Sequence, residues 1–554
     1  MLNCLCAVTE FEVWKYSISS GRNGGLPPIL KFGAHSETQR SNKQQTNDRS
    51  MAISMMLICK QTKQTIMATI SMMLLCMASA SHATSLAEQH RVTSLPGIDL
   101  TTLNATHFSG YLSVASDLAA INSFYYYVQH PDPDKPLLIW MNGGPGASSL
   151  MGLFTELGPL LLNSRSFPEN NNGEWKLQQN PYSWSNEASL LVWEQPAGVG
   201  FSRCVTEPCP QWNDTSSASA NLEILKAFYQ VHPLEKLREV IIAGESYGGV
   251  YVPLLAANIH ASSELIPLKG IAVGNGCVGY SVAGGCGTDA MDLLVTVMSE
   301  GAPGISRIVL SNTKDQCQEE LNEGKQPNEL SPKCLAAMQH LIEELGAYNE
   351  YSRGSPCGPN GNGNWGDGSG FSCGGDIALK RYLRNVTVQR ALHVLPSDNS
   401  SVPLPWQWWD GDSPGLYNIS NPNIIPTYAA LLEQNYQVLI YNGLRDTGVP
   451  AQGVPRWLTT IGNGTLESRR KWSAMSVGGG SNQTLGDQVA GYVSSYGNGA
   501  KFATIIGAGH LSPGERPASA YQLISSLLRN EELPIYAGLK CKRLWLGRGY
   551  GQFC

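Results

Sequence analysis

Short runs of apolar residues recur along most of the chain, and each run ends in glycines or polar residues. Runs without a polar interruption are typical of strands that are buried on both faces, as in a parallel sheet. Helical patterns lie between some of them, at 217–229 and 252–260. This alternation predicts a doubly wound α/β fold. The strands are expected at 137–141, 190–193, 240–243, 271–273, 438–441 and 502–506.

The segment from about 279 to 399 breaks this alternation. It contains five of the ten cysteines that follow the first 83 residues, together with a Gly/Asn-rich stretch at 358–370. Helical patterns at 331–345 and 377–393 have no clear strand between them. We expect this segment to be an insertion that forms a cap tied by disulfides.

The beginning of the chain differs from the rest. Residues 1–50 are polar and without pattern, whereas Lys60 and Lys63 precede an apolar run at 66–80 that ends in small residues. A basic flank, a short apolar segment and small residues form the plan of a signal peptide. The run is shorter than the roughly 20 residues that span a bilayer, so we expect cleavage and no stable membrane insertion. An N-terminal anchor is the alternative interpretation.

We therefore interpret residues 1–83 as a leader outside the fold, with the signal peptide at about 51–83. Met51 and Met67 are alternative start sites, and either would leave the preceding residues out of the working protein. The α/β domain with its cap insertion is expected at 84–554.

Composition narrows the class of protein. Apolar residues make up 42% and charged residues 15% of the 554 residues, which excludes a disordered chain and a coiled coil. The 58 Gly and 32 Pro follow no G-X-Y period, which excludes collagen. A net charge of −6 provides no electrostatic footprint for nucleic acid, so we expect no such partner.

Cysteines and glycosylation sequons indicate the compartment. Four of the 14 Cys lie in the leader, and the even number that follows it indicates disulfides formed in an oxidising environment. Neither C-x-x-C nor H-E-x-x-H occurs, which argues against zinc. Sequons behind a signal peptide predict a glycoprotein of the secretory pathway, either vacuolar or lysosomal or extracellular. They lie at Asn104, Asn213, Asn385, Asn399, Asn418, Asn463 and Asn482.

A candidate nucleophile follows the predicted strand at 240–243. The strand runs into Gly244-Glu245-Ser246-Tyr247-Gly248, which is a G-x-S-x-G motif placed before a helical pattern. Glycines two residues before and after the serine allow a sharp turn that exposes its hydroxyl. The sequence therefore predicts that Ser246 is a nucleophile, against the alternative of an ordinary glycine-rich turn.

A nucleophilic serine needs a base, and the base needs an orienting carboxylate. In this architecture the chain order is Ser, Asp, His, each at the end of a strand. The strand at 438–441 leads to Asp446, and the strand at 502–506 leads through a Gly-rich turn to His510. The rivals, which we interpret as packed, capping or turn residues, are His393, Asp410 and Asp487.

A glycine-rich turn also follows the predicted strand at 137–141. Its sequence is Asn142-Gly143-Gly144-Pro145-Gly146. Consecutive glycines allow backbone N–H groups to converge on a developing oxyanion. Upstream of the serine motif, this turn is a candidate oxyanion hole, with a plain turn as the alternative.

Taken in chain order, these motifs resemble those of the serine carboxypeptidase family, of the peptidase S10 type. The resemblance covers most of residues 90–530. It implies an α/β-hydrolase fold: a central, mostly parallel sheet with helices on both faces and a disulfide-containing cap insertion. It also implies a serine-type carboxypeptidase that removes C-terminal residues from peptides or proteins by acyl-enzyme hydrolysis at acid pH. The matching segments are 95–97, 108–111, 140–149, 154–159, 186–202, 243–253, 270–276, 388–393, 441–446 and 507–517.

The resemblance also implies roles for individual residues. Ser246, Asp446 and His510 would form a catalytic triad. The backbone N–H groups of Gly144 and Tyr247 would form the oxyanion hole. This chemistry needs neither a metal nor an organic cofactor. The terminal carboxylate of the substrate would be bound by Asn142, Glu156 and Glu245, with Trp140 beside them.

The two glutamates of this set predict an acid preference. A glutamate donates a hydrogen bond to a carboxylate only while it is protonated, and close carboxyl groups share protons, which raises one pKa of the set. Peptide binding should therefore be favoured at roughly pH 4–6. Ester or amide substrates without a free carboxylate should lose this preference.

The chain departs from the family pattern at three places. Ala147 stands where the family usually has a cysteine paired with the insertion, so Cys357 would pair differently or stay free. Leu444 stands where the family often has an aspartate, and the stretch 405–410 lacks an expected cysteine. The disulfide pattern of the cap is thus open, whereas the triad is intact.

Other functions compete with peptide hydrolysis. Related acyltransferases use the same triad to transfer acyl groups from glucose esters, but they typically carry Asp at the position of Glu245. A lipase or esterase shares the serine motif without needing the carboxylate-binding set. A non-catalytic partner that stabilises other secretory enzymes usually loses a triad residue. A homodimer is a further expectation from the family.

Overall fold

The computed structural model of this protein describes most of the chain after the predicted leader. The described residues are 86–279, 285, 305–322, 330–345, 351–352, 375–395, 402–406, 416–474, 489–536, 542–545 and 550–553. The signal peptide, the Gly/Asn-rich stretch and the rival aspartates Asp410 and Asp487 lie outside these residues.

An 11-stranded sheet is the centre of the described part of the chain. One of its strands, Arg203–Cys204, is only two residues long and carries no number. The other ten are numbered in chain order. They are β1 Thr106–Ala115, β2 Ala120–Gln129, β3 Leu137–Met141, β4 Ser189–Trp193, β5 Val240–Glu245, β6 Leu268–Gly274, β7 Gln437–Gly443, β8 Leu466–Trp472, β9 Gly491–Tyr496 and β10 Lys501–Ile505.

The middle of the sheet is parallel, and its edges are antiparallel. The strand order is β1-β2-β4-β3-β5-β6-β7-β10-β9-β8, with parallel pairing from β4 through β10. Strands β3, β4 and β5 are buried along their whole length. The predicted strands are the parallel ones, so the prediction of a mostly parallel α/β sheet is confirmed. The edge pairs β1–β2 and β8–β9, which are antiparallel, were not predicted.

Helices connect these strands. The longer ones are α1 Asp214–Val231, α2 Gly248–Ala261, α3 Arg307–Asn322, α4 Pro332–Leu345, α5 Gly375–Leu383, α6 Val386–Ala391, α7 Ile425–Glu433, α8 Gly453–Leu458 and α9 Pro517–Leu528. Short helical turns lie at Ser149–Gly152, Leu153–Leu157 and Ser512–Glu515. Helix α1 begins before the predicted 217–229 because Asn213 and Ser216 form a capping box.

Two helices occupy the predicted helical stretch at 377–393. Helix α5 ends at Leu383, and the Asn385 side chain accepts hydrogen bonds from Thr387 N and Val388 N. This N-cap starts α6 as a new helix. His393 lies just beyond α6 with φ 58°, and its Nδ1 is 2.9 Å from Ser109 O, as expected of a packed residue.

Disulfides tie parts of the chain together. Cys317 and Cys334 join α3 to α4 over a small apolar core, which confirms a disulfide within the insertion. Cys204 and Cys209 close a short loop, and Cys277 is also disulfide-bonded. At the end of the chain, Lys542–Trp545 pairs with Tyr550–Phe553, so the tail folds back on itself. Among the described helices, none is both long and apolar enough to cross a bilayer.

Candidate active site

The serine motif forms a sharp turn between β5 and α2. Ser246 has φ 60°, a left-handed conformation that is costly for a residue with a side chain. Its N–H donates to Gly274 O at 3.1 Å, and its carbonyl accepts from Gly249 N at 2.9 Å. A Cβ on Gly143 would lie only 2.7 Å from Ser246 Cβ, so glycine is needed on the facing loop. Close packing thus holds the strained serine in place.

Asp446 and His510 are in direct contact at the ends of β7 and β10. Asp446 Oδ2 lies 2.6 Å from His510 Nδ1, and both side chains are buried. Asp446 Oδ1 accepts hydrogen bonds from Gly448 N at 2.9 Å and Val449 N at 3.1 Å. These backbone donors fix the carboxylate, which in turn fixes the orientation of the imidazole.

Asn275, which the sequence reasoning missed, connects this pair to the serine turn. Its Nδ2 donates to Asp446 Oδ2 at 2.8 Å, and it directly follows Gly274, whose carbonyl accepts from Ser246 N. Asn275 has φ 42°. Because β5, β6, β7 and β10 are adjacent and parallel, their carboxyl ends meet at one edge of the sheet. An asparagine between glycines just after a strand is the signal that could have identified it.

The environment of His510 favours its protonated form. Burial lowers the pKa of His510, but the charge of Asp446 and the hydrogen bond to it outweigh burial, and the net pKa is raised. The carboxylates of Glu156 and Glu515 act in the same direction. An imidazole held in this way is a competent proton acceptor.

The segment predicted to be an insertion contributes two residues to the histidine turn. His510 N donates to Tyr351 O at 2.6 Å, and the two rings lie 4.6 Å apart. Ser352 Oγ donates to Glu515 Oε2 at 2.5 Å, and Gly509 N donates to the same oxygen at 3.1 Å. Burial raises the pKa of Glu515. Sequence reasoning missed these residues, because nothing in their local pattern indicates a contact across so many intervening residues.

The glycine-rich loop after β3 packs against the serine turn. A Cβ on Gly143 would lie 2.3 Å from Tyr247 N, and Gly144 has φ 107°. The loop therefore brings Gly143, the neighbour of the predicted oxyanion donor Gly144, against the backbone N–H of Tyr247. Ala147 is buried in the loop, where the resemblance leads one to expect cysteine. The role of these N–H groups stays a prediction.

A buried polar cluster lies beside the serine. Asn142 Nδ2 donates to Glu245 Oε1 at 2.8 Å, while Asn142 Oδ1 accepts from Trp140 Nε1 at 2.8 Å and Gly152 N at 3.1 Å. Glu156 lies on the one-turn helix Leu153–Leu157 and interacts with both Asn142 and Glu245. The structure therefore brings together the four residues predicted to form the carboxylate site, although their role stays a prediction.

The two carboxyl groups of this cluster have spare hydrogen-bonding capacity. Glu156 and Glu245 are 1% and 3% exposed. Both oxygens of Glu156 and Oε2 of Glu245 make no hydrogen bond of good geometry within the described chain, although the two carboxyl groups interact with each other. Burial raises the pKa of both side chains, and the charge of Glu156 raises that of Glu245 further. The pair therefore retains protons to higher pH than ordinary glutamates and can donate to an anion.

The sheet and the site together define the class of protein. A mostly parallel sheet, a strained serine between a strand and a helix, and an imidazole–carboxylate pair on later strands constitute an α/β-hydrolase fold. A family model described as serine carboxypeptidase matches residues 96–530, and the chain belongs to that family.

Individual relatives agree with this assignment. The lysosomal protective protein of Mus musculus is 29% identical over 501 residues, which cover 83% of this chain and 98% of that protein. Serine carboxypeptidase 1 of Hordeum vulgare is 28% identical over 502 residues, which cover 80% of this chain and 93% of that protein. The crystal structure of Kex1(Δ)p, a prohormone-processing carboxypeptidase from Saccharomyces cerevisiae, shares the fold with a TM-score of 0.60 at 20% identity. The match covers 84% of this chain and 99% of that one.

Proposed function

We propose that this protein is a serine carboxypeptidase that removes single residues from the C-terminus of peptides. The observation that carries the proposal is the buried pair Glu156 and Glu245, whose carboxyl groups lie beside the serine turn. Two buried carboxyl groups that keep their protons can donate hydrogen bonds, and such donors suit an anionic ligand. The anion at the end of every peptide is its terminal carboxylate.

The proposed chemical step uses three side chains. Ser246 Oγ attacks the carbonyl carbon of the last peptide bond as His510 Nε2 takes the hydroxyl proton. The proton then passes to the leaving amine, and the C-terminal amino acid departs. Asp446 accepts Nδ1–H throughout, which keeps Nε2 free to act as a base. Water, activated by the same imidazole, hydrolyses the acyl-enzyme and restores the serine.

Charge that develops on the carbonyl oxygen would be stabilised by backbone donors. Gly144 N–H and Tyr247 N–H belong to two turns that pack on each other at Gly143. Donors fixed before the reaction stabilise the oxyanion without a reorganisation cost. The carboxylate site and this hole together place the last peptide bond, and not an internal one, at the serine.

A matched pair of peptides tests this proposal. One peptide has a free terminal carboxylate and the other a terminal amide, with otherwise identical sequences. At about pH 5 we expect release from the free acid to be at least 10-fold faster, because charge-assisted hydrogen bonds to the carboxylate are lost with the amide. Mass spectrometry of the products over time measures both rates.

Two results of that experiment contradict the proposal. Equal rates on the two peptides would show that the protein does not recognise the terminal carboxylate. Cleavage at internal bonds would indicate an endopeptidase. In a parallel incubation, a glucose ester with an alcohol acceptor tests acyl transfer. Faster transfer than peptide hydrolysis would favour the acyltransferase alternative, although Glu245 in place of Asp argues for hydrolysis.

The compartment is also a proposal. The disulfides Cys204–Cys209 and Cys317–Cys334 require oxidising conditions during folding. They support maturation in the secretory pathway, as expected from the predicted signal peptide. Either a vacuolar or lysosomal location or an extracellular one agrees with a pocket that keeps its protons in acid.

A further inference from the structure

A fully buried aspartate that takes no part in the chemistry above lies next to the serine turn. Asp214 is the first residue of α1 and is 0% exposed. Its Oδ1 accepts hydrogen bonds from Tyr247 OH at 2.6 Å and Tyr417 OH at 2.8 Å. Its Oδ2 accepts from Ser420 N at 2.8 Å, Ser420 Oγ at 3.1 Å and Asn421 N at 2.7 Å. Five donors thus converge on one carboxylate.

This number of donors makes the carboxylate a rigid anchor. A buried charge is tolerated only when its hydrogen-bonding capacity is met, and the donors to Asp214 come from two separate segments of the chain, Tyr247 and the stretch 417–421. Its place in the first turn of α1 adds the favourable field of the helix N-terminus. Movement of any one partner would leave a buried donor or acceptor unpaired, so the partners are held firmly.

One of these partners is the residue that directly follows the nucleophile. The Tyr247 ring also packs edge-on against Tyr251 at 5.1 Å and Tyr417 at 6.0 Å between centroids. Its phenol oxygen and its ring faces are therefore both restrained. Because the side chain is fixed at its far end, the backbone N–H at its near end has little freedom to tilt. That N–H is the second donor of the proposed oxyanion hole.

We infer that Asp214 is a positioning residue for the oxyanion hole, acting through the Tyr247 side chain. The inference rests on the proposed function and extends it to a residue outside the triad and the carboxylate site. A purely structural role is the competing explanation, since Asp214 also joins α1 to the segment around Ser420. The two explanations differ in the effect that they predict for removing the hydroxyl of Tyr247 or of Tyr417.

Tyr247 and Tyr417 provide a matched pair of variants. Tyr247→Phe and Tyr417→Phe each remove one hydroxyl from the same oxygen, Asp214 Oδ1, and both leave the backbone intact. Asp214→Ala would strand several buried donors and endanger folding, so the tyrosine variants are the sharper test. Removing an oxyanion donor lowers kcat by roughly 10²–10³-fold, and tilting one should cost less, about 10-fold.

The experiment measures kcat, KM and the inhibition constant of an aryl boronic acid, which forms a tetrahedral serine adduct. For Tyr247→Phe we expect kcat to fall about 10-fold and the inhibition constant to rise equally, with KM unchanged. For Tyr417→Phe we expect both values within about twofold of wild type. Thermal melting of both variants measures how much stability the fold loses with each hydrogen bond.

Two results would overturn the inference. Wild-type kcat and boronate affinity in Tyr247→Phe would show that the anchor does not reach the N–H, and equal losses in the two variants would show a structural role only. Failure of the proposed function is recognised separately, because wild-type protein would then bind boronate without releasing C-terminal residues.

Discussion

Asp446→Asn is expected to lower kcat for peptide hydrolysis by about 10⁴-fold and to leave KM nearly unchanged. The reason lies in the donors around the carboxylate. Oδ1 accepts from Gly448 N and Val449 N, which are backbone groups and cannot turn away. In the variant, the amide oxygen must take this position, and the amide NH₂ then faces His510 Nδ1.

A donor opposite Nδ1 reverses the protonation of the imidazole. His510 Nδ1 would have to accept a hydrogen bond, so the proton would move to Nε2. A protonated Nε2 cannot take the proton of Ser246. The ring would stay in position, which is why binding should persist while turnover is lost.

Glu515→Gln is the control for this variant. It also removes a negative charge that raises the pKa of His510. Its amide oxygen can still accept from Ser352 Oγ and Gly509 N, and it does not contact Nδ1. We expect less than about a 10-fold change in kcat. Steady-state kinetics with thermal melting separates the two variants, and a kcat within tenfold of wild type for Asp446→Asn would contradict the triad.

The pH dependence of peptide hydrolysis is expected to disappear on its alkaline side in the double variant Glu156→Gln/Glu245→Gln. Because the pKa values of the pair are raised, the donating, protonated form is present below those values and is lost as pH rises through them. In the wild type, kcat/KM for a peptide should then fall roughly 100-fold over two pH units above the apparent pKa. Glutamine amides donate at every pH, so the variant should lose this limb.

A second limb comes from the histidine. The pKa of His510 is raised, so its neutral, basic form is lost as pH falls below that value. Peptide hydrolysis should therefore follow a bell-shaped profile, with its maximum at the upper end of the expected range of roughly pH 4–6 or just above. Protonation of Glu156 and Glu515 removes charges that raise the pKa of His510, so the limbs are coupled.

Peptide amides are the control for the alkaline limb. They lack the terminal carboxylate, so wild-type kcat/KM for an amide should stay level where that for the acid falls. Profiles of kcat/KM from about pH 4 to 9 for both substrates and both proteins provide the measurement. An alkaline limb that survives in the double variant, or that appears equally with amides, would exclude Glu156 and Glu245 as its origin.

The sequence pattern identified the middle of the fold better than its edges. Strands such as β3 and β5 are buried on both faces, so their uninterrupted apolar runs are visible without any partner. Strand β8 is exposed along nearly its whole length and carries charged residues, which no apolar criterion detects. Strand β2 carries a signal, the aromatic run at 124–127, that an aliphatic criterion does not detect.

The same distinction applies to the candidate site. Ser246, Asp446 and His510 each follow a recognisable strand, so local pattern and chain order located them. Glu156 lies on a short helical turn, and its raised pKa and predicted role depend on burial and on its contact with Glu245, a distant residue in the chain. The contacts of residues such as Asn275, Tyr351 and Asp214 likewise form only on folding. Long-range packing of this kind leaves no local signature, and resemblance alone pointed to Glu156.

The central claim is that Ser246 is a serine made reactive by His510 and Asp446. Labelling with a fluorophosphonate probe, followed by peptide mapping, tests it most directly. The account predicts a single adduct on Ser246, formed at a rate that a free-acid peptide substrate slows. An unlabelled Ser246 in protein that still hydrolyses peptides, or an adduct on a different serine, would contradict it.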